Sequence, residues 1–325
     1  MAEGQEVRKA IGSVFKQLKY EHLLAGISGG VLSTLVLHPL DLLKIRFQVN
    51  DGKKERPTYQ GMVQATRSIM TQNGFRGLYQ GVVPNVWGAG ASWGFYFFFY
   101  NALKAYTQGD STEPLSAGQH MIAAGQSGIL TLCLTNPIWV VKTRLCLQYE
   151  GLNQNVGEVH VKKYRGMTDA LWKVYRFEGV RGLYKGFVPG LFGVSHGALQ
   201  FMAYEELKKQ YTSYMSLPAT AQLGAMEYIC FAALSKMFAV VTTYPYQVIR
   251  SRLQDQHSQY NGVWDTILRT VRGEGIRGFY KGISINLLHT GPNCCIIFLL
   301  YEKIPQLINS KSGSSHQGGR NTRWK

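Results

Sequence analysis

Three stretches of the chain set ionisable side chains at one interval after a proline: Pro39-Leu-Asp41-Leu-Leu-Lys44-Ile-Arg46, Pro137-Ile-Trp139-Val-Val-Lys142-Thr-Arg144 and Pro245-Tyr-Gln247-Val-Ile-Arg250-Ser-Arg252. In the first copy an acid precedes a base by three residues, which puts both on one face of a helix. These groups offer ion pairing rather than bond-making. They fall at the ends of apolar segments, where an unpaired charge is costly, so groups at one depth on three helices are expected to pair between helices. A ring of such pairs can open and close, which is the chemistry of a gate.

A second signature trails each copy. It reads Asn73-Gly74 then Tyr79-Gln80-Gly81, Glu178-Gly179 then Tyr184-Lys185-Gly186, and Glu274-Gly275 then Tyr280-Lys281-Gly282. Both signatures recur at about a hundred residues, so the chain is one unit used three times. The glycines permit tight turns, and Tyr beside Lys suits a membrane interface. A phosphate-loop reading fails, because no GxxxxGK[ST] string is present and no strand precedes these segments.

The elements that must position these residues are long apolar segments. Residues 23–43, 82–103, 121–141, 187–204, 228–249 and 283–301 are lean in charge, and each is about long enough to cross roughly 30 Å of hydrocarbon. Six spans, two per repeat, are predicted. The mean hydropathy of −0.11 understates them, because Gly, Ser, Asn and Gln suit close helix packing and a wet cavity while diluting the average. Residues 21–50 would make about 45 Å of helix. Pro39, Pro137 and Pro245 are expected to kink the odd-numbered spans. Shorter amphipathic segments at 61–70, 167–177 and 263–272 are expected to lie on the membrane surface.

A net charge of +16 suits nucleic acid, anionic lipid or an anionic solute equally. No nucleic-acid recognition module is evident, so no nucleic-acid partner is expected. Cys133, Cys146, Cys230, Cys294 and Cys295 form no CxxC pair, and neither a metal site nor a disulfide framework is expected. Residues 1–19 read as an N-terminal extension without a cleavable presequence, and residues 309–325 as a disordered tail. No convergent nucleophile, base and oxyanion site appears, so the chain is not expected to be an enzyme.

The repeated pattern, proline-x-acid-x-x-base-x-base followed by acid-Gly and aromatic-base-Gly, resembles that of the mitochondrial carrier family. The likeness runs from about Tyr20 to Pro305, with repeats at 20–110, 115–213 and 222–308. It implies an all-α membrane protein of the mitochondrial inner membrane. Six transmembrane helices would form a threefold pseudo-symmetric bundle with short matrix-side surface helices, working by alternating access with salt-bridge gates. The string Asn136-Pro137-Ile138-Trp139, and Ser195 to Met202, are similar to the branch that carries folates (tetrahydrofolate) and FAD; NAD and pyrimidine nucleotide carriers are its neighbours. The expected cargo is therefore an anionic heteroaromatic solute, FAD or folate, with no prosthetic group, a bilayer containing cardiolipin, and a monomer as the working unit.

The resemblance also implies site residues. A matrix gate would comprise Asp41, Lys44, Trp139, Lys142, Gln247 and Arg250: Asp41 pairs with Lys142, Trp139 faces Arg250, and Gln247 hydrogen-bonds Lys44. Gln48 and Gln254 fit matrix braces, whereas Cys146 does not. A cytoplasmic gate would draw on Lys104, Glu205, Lys208 and Glu302, with Glu302 and Lys104 the one complete pair. Solute contact points are expected at Gly88, at Gly193 with Val194, and at His289, the glycines leaving room for a flat ring. Lys236, mid-span where the other repeats have Gly30 and Gly128, is a candidate for holding the anion. Gln126, Asn136, His196 and Asn293 are further cavity candidates, and an inter-helix hydrogen bond fits each of the four equally well. His38 is read as a cap on the strained backbone before Pro39.

Overall fold

The structure, a computed structural model, describes residues 20–52, 57, 59, 61–108, 115–149, 163–216, 224–257 and 260–293. These residues are helical with short connections, and they contain no strand. The chain divides into two compact units, residues 1–37 with 290–325, and residues 38–289. In the first unit, Ser33 Oγ donates to Asn293 Oδ1.

In each repeat a long helix is followed by a shorter one and then by a further helix; of the sixth span expected at 283–301, residues 294–301 lie outside the described residues. Repeat one holds α1 (Tyr20–Val49), α2 (Met62–Gly77) and α3 (Val82–Gln108). Repeat two holds α4 (Ala117–Cys146), α5 (Met167–Leu183), α6 (Phe187–Phe192) and α7 (Ser195–Tyr214). Repeat three holds α8 (Ala225–Gln254), α9 (Val263–Glu274), a short 3-10 helix (Ile276–Tyr280) and α10, residues 283–293. The helices of the first, third and fifth spans, α1, α4 and α8, each run 30 residues and continue through their proline. α4 starts at a capping box, where Ser116 Oγ accepts from the Gln119 amide and the Gln119 side chain accepts from the Ser116 amide. Among the described residues α8 alone is long and apolar enough, by composition, to cross a membrane. The other long helices carry Gly, Ser and Asn that lower their average, yet α3 exposes Trp87, Trp93, Phe97 and Phe98 as a lipid-facing helix would.

The fourth span departs from expectation. It is broken at Gly193–Val194, where Gly193 N donates to Gly190 O, Val194 N to Leu191 O and His196 N to Gly193 O. The bonding tightens locally to the three-residue spacing of a 3-10 turn. Gly193 makes this possible, since a Cβ there would stand 2.9 Å from Gly190 O and 3.0 Å from Tyr246 Oη.

The closing glycine of each repeat packs the helix after it closely against the first long helix of another repeat: α3 on α4, α6 on α8 and α10 on α1. Gly81, Gly186 and Gly282 have φ of 84°, 75° and 81°, a conformation that disfavours any Cβ. A Cβ on Gly81 would meet Cys146 Sγ at 2.8 Å, on Gly186 Arg250 O at 3.1 Å, and on Gly282 Lys44 O at 3.2 Å.

Candidate functional site

In residues 38–289, two layers of polar side chains lie beyond the prolines. The upper layer holds one ion pair: Lys142 Nζ is 2.5 Å from Asp41 Oδ2, and both side chains are buried. Asn85 Nδ2 also donates to Asp41 Oδ2 at 3.1 Å, so the carboxylate is doubly engaged. Trp139 lies under Lys142, with Nζ 5.1 Å from the ring centroid, rather than facing Arg250. The two are three residues apart on α4, which is the nearer partnership. Arg250 instead donates to Asn136 Oδ1 at 3.3 Å. No hydrogen bond joins Gln247 to Lys44 among the described residues; Gln247 engages the Tyr246 side chain.

The lower layer is built by the second base of each motif, and it closes on itself. Arg46 Nε donates to Cys146 O (3.0 Å), Arg144 Nε to Gln254 O (3.2 Å) and Arg252 Nε to Gln48 O (3.1 Å), each reaching the last turn of the next repeat's first long helix. Gln48 accepts from Ser251 Oγ at 2.7 Å and donates to Tyr244 Oη at 3.2 Å. Gln254 likewise accepts from Thr143 Oγ1 at 2.7 Å and donates to Lys185 O at 3.4 Å. At the third equivalent position Cys146 has only its thiol, which points at Gln80 O from 3.4 Å.

The same arginines reach the acid of the acid-Gly motif. Arg144 makes a two-pronged contact with Glu178, with Nη2 to Oε2 at 2.7 Å, and Lys185 Nζ sits 2.9 Å from Oε2. Arg252 and Lys281 close on Glu274 at 2.8 and 2.7 Å. Burial works to raise the Glu178 carboxyl, but hydrogen bonds from Arg144 and Lys185 prevail and hold it at about 2.

The same unit contains a cavity of about 1520 Å³ lined by residues of α3, α4, the broken fourth span and α8. Trp139, Tyr246, Arg250, Gly193, Val194 and Lys208 are on its wall. Arg250 forms no ion pair with a carboxylate among the described residues.

The family model described as mitochondrial carrier protein matches residues 16–111, 113–215 and 221–312, three copies across nearly the whole chain. The chain belongs to the mitochondrial carrier family. This carrier is therefore an all-α membrane protein of three tandem repeats and six spans, and its family members are transporters. It is 41% identical over 302 residues to the chloroplastic folate transporter 1 of Arabidopsis thaliana, covering 89% of this chain and 96% of that one. It is 38% identical to the mitochondrial nicotinamide adenine dinucleotide transporter 2 of Arabidopsis thaliana, covering 86% and 77% of the two chains. It is 32% identical to the mitochondrial FAD carrier protein FLX1 of Saccharomyces cerevisiae, covering 87% and 96%.

Of the carrier's expected contact residues, Gly193 and Val194 line the cavity. Gly88 leaves no room for a ring: it is buried, and a Cβ there would meet Ile138 Cγ2 at 3.2 Å and Trp139 Cζ2 at 3.4 Å. Its missing side chain is used for close helix packing. Lys236 and His289 are half-buried and Gln126 is exposed, and none of the three lines this cavity. Lys236 lies within electrostatic reach of both His196 and His289, and His196 Nδ1 is 3.0 Å from Thr243 Oγ1. Asn293 belongs to the other unit, with Ser33. Lys104, Glu205 and Lys208 form no ion pair among the described residues, and Glu302 lies outside them. Where a cap on its own backbone was expected, the His38 ring bridges Gln80 O at 2.9 Å and Asn85 Nδ2 at 3.2 Å.

The sequence reading missed the arginine layer. Its signal was present in the single residue that separates the two bases in all three motifs and in the glutamates of two of the three acid-Gly pairs.

Proposed function

We propose that this carrier moves an anionic heteroaromatic cofactor, a folate such as tetrahydrofolate or FAD, across the mitochondrial inner membrane by alternating access, without chemistry on the cargo. One observation carries the reading. The cavity presents the guanidinium of Arg250, without a carboxylate partner among the described residues, beside the indole of Trp139 and the phenol of Tyr246. A cation at membrane depth is costly until a counter-charge arrives, and an anionic solute supplies it while its flat ring meets the aromatics. Similarity to a folate transporter and an FAD carrier favours that cargo within the family.

In this reading Asp41, Lys44, Trp139, Lys142, Gln247 and Arg250 form the matrix gate, with Gln48 and Gln254 as braces beneath it. Lys104, Glu205, Lys208 and Glu302 form the cytoplasmic gate, and Lys236 and His289 add positive potential on the solute path. A single ion pair in the matrix ring keeps the closed state cheap to open, so both end states stay populated. A single copy in a cardiolipin-containing bilayer is the working unit.

The test is reconstitution into liposomes with labelled tetrahydrofolate, FAD, NAD and pyrimidine nucleotides in parallel. Uptake of tetrahydrofolate or FAD is expected. The specific ground for a second reading is the 38% identity to an NAD transporter, and uptake of NAD alone would establish that reading instead.

A further inference from the structure

Along α4, Ser127, Thr131 and Thr135 recur every four residues and share one helical face. Ser127 Oγ donates to Ala123 O, and Thr135 Oγ1 to Thr131 O at 2.8 Å, the local way in which a hydroxyl inside a helix is satisfied. Thr131 breaks the pattern. Only 7% of its surface is exposed, yet its Oγ1 has no hydrogen-bond partner. Ser92, on the facing helix α3, also has a buried hydroxyl without a partner. Both residues line the cavity that holds Arg250. Buried hydroxyls almost always find a partner, so two orphans in residues of one cavity wall, from two packed helices, are free to turn toward a ligand in the cavity that completes them.

We infer that Ser92 and Thr131 form a hydrogen-bonding subsite for the edge of the transported heteroaromatic ring, a specificity determinant apart from the contact points expected from the repeat pattern. A hydroxyl both donates and accepts, so two of them match a ring edge on which N–H donors alternate with nitrogen or carbonyl acceptors. Tyr96, one turn beyond Ser92, and Leu132 line the same cavity and offer apolar surface to such a ring. The inference rests on the transport reading above and adds to it which atoms discriminate among cofactors.

The test uses the full-length carrier in liposomes, comparing wild type with Thr131→Val, Ser92→Ala, the double variant and Thr131→Ser. Each hydroxyl-less single variant is expected to raise KM for the transported cofactor about 3- to 10-fold, with Vmax changed less than about twofold. Thr131→Ser should restore the wild-type KM. Thermal unfolding in detergent without cofactor separates this from a structural role: removing an unpaired buried hydroxyl should leave the melting temperature level or raise it. Wild-type uptake with KM unchanged in both singles and the double overturns the subsite alone. Failure of the wild type to take up tetrahydrofolate or FAD overturns the transport reading and this inference with it.

Discussion

Repeat one and its two companions place their acids in opposite layers. Repeat one keeps Asp41 in the upper ring, paired with Lys142, but has Asn73 and Gln80 where the others have Glu178 with Lys185 and Glu274 with Lys281. Arg46 is accordingly held by neutral groups: Tyr59 Oη, Gln80 Oε1, and the carbonyls of Cys146 and Gln148. Repeats two and three have Trp139 and Gln247 in place of the upper acid but a full Arg-Glu-Lys cluster below. Charge in the lower layer ties a long helix to the surface helix of its own repeat, whereas charge in the upper layer ties one repeat to the next. The first kind can persist through a transport cycle. In the proposed alternating-access cycle the second must break.

Four experiments bear on that contrast. Glu274→Ala strips the counter-charge from Arg252, whose side chain is only 1% exposed, and should cost about 3–5 kcal/mol in thermal unfolding. Asn73→Ala, at the equivalent place in repeat one, should cost under about 1 kcal/mol, because no charge is left bare. Equal losses would erase the distinction between repeats.

Asp41→Ala should lower uptake by more than about tenfold, equivalent to about 1.4 kcal/mol, through loss of the bridge that joins repeats one and two. Wild-type rates would remove Asp41 from the gate.

Acid pH should act through the lower layer. The folded Glu178 carboxyl lies at about 2 against an ordinary 4.5, so its stabilisation is present above 4.5 and is lost as pH falls from there toward 2. Melting temperatures measured across that window should fall more steeply for wild type than for Glu178→Gln. Parallel curves would show that the pair contributes nothing there.

The smallest effect is a gain. Asn73 Nδ2 is buried without a partner, and Asn73→Glu offers Arg46 the acid its counterparts have, so a rise of about 0.5–1 kcal/mol is expected. A loss would mean that the neutral network around Arg46 leaves no place for charge.

Much of this was legible in the sequence because the repeat writes it three times. The 30-residue helices, the prolines inside them and the turns at the glycines follow from local rules, and they appear at the predicted places. Pairings across the fold were less legible. Arg144 and Glu178 lie 34 residues apart, and nothing local indicates that the second base rather than the first reaches the acid. The repeat pattern pairs Trp139 with Arg250 across repeats, whereas the nearer partner, Lys142, stands one helical turn away. Gly88 read as space, because a sequence shows a missing side chain but not the neighbour that fills its place. The hydroxyls of Ser92 and Thr131 carried no signal at all, since being unpaired is a property only coordinates reveal.

The break at Gly193–Val194 has a consequence for phase. An α-helix turns about 100° per residue and a 3-10 turn about 120°, so one tightened turn advances everything after it by roughly 60°. From Ser195 onward, the residues of the fourth span that face lipid and those that face inward are therefore not the ones a continuous helical wheel drawn from Phe187 would assign. A cysteine-accessibility scan along this span should show its periodicity slip by about one-sixth of a turn at that point, and the residues that line the solute path should be counted afresh from there.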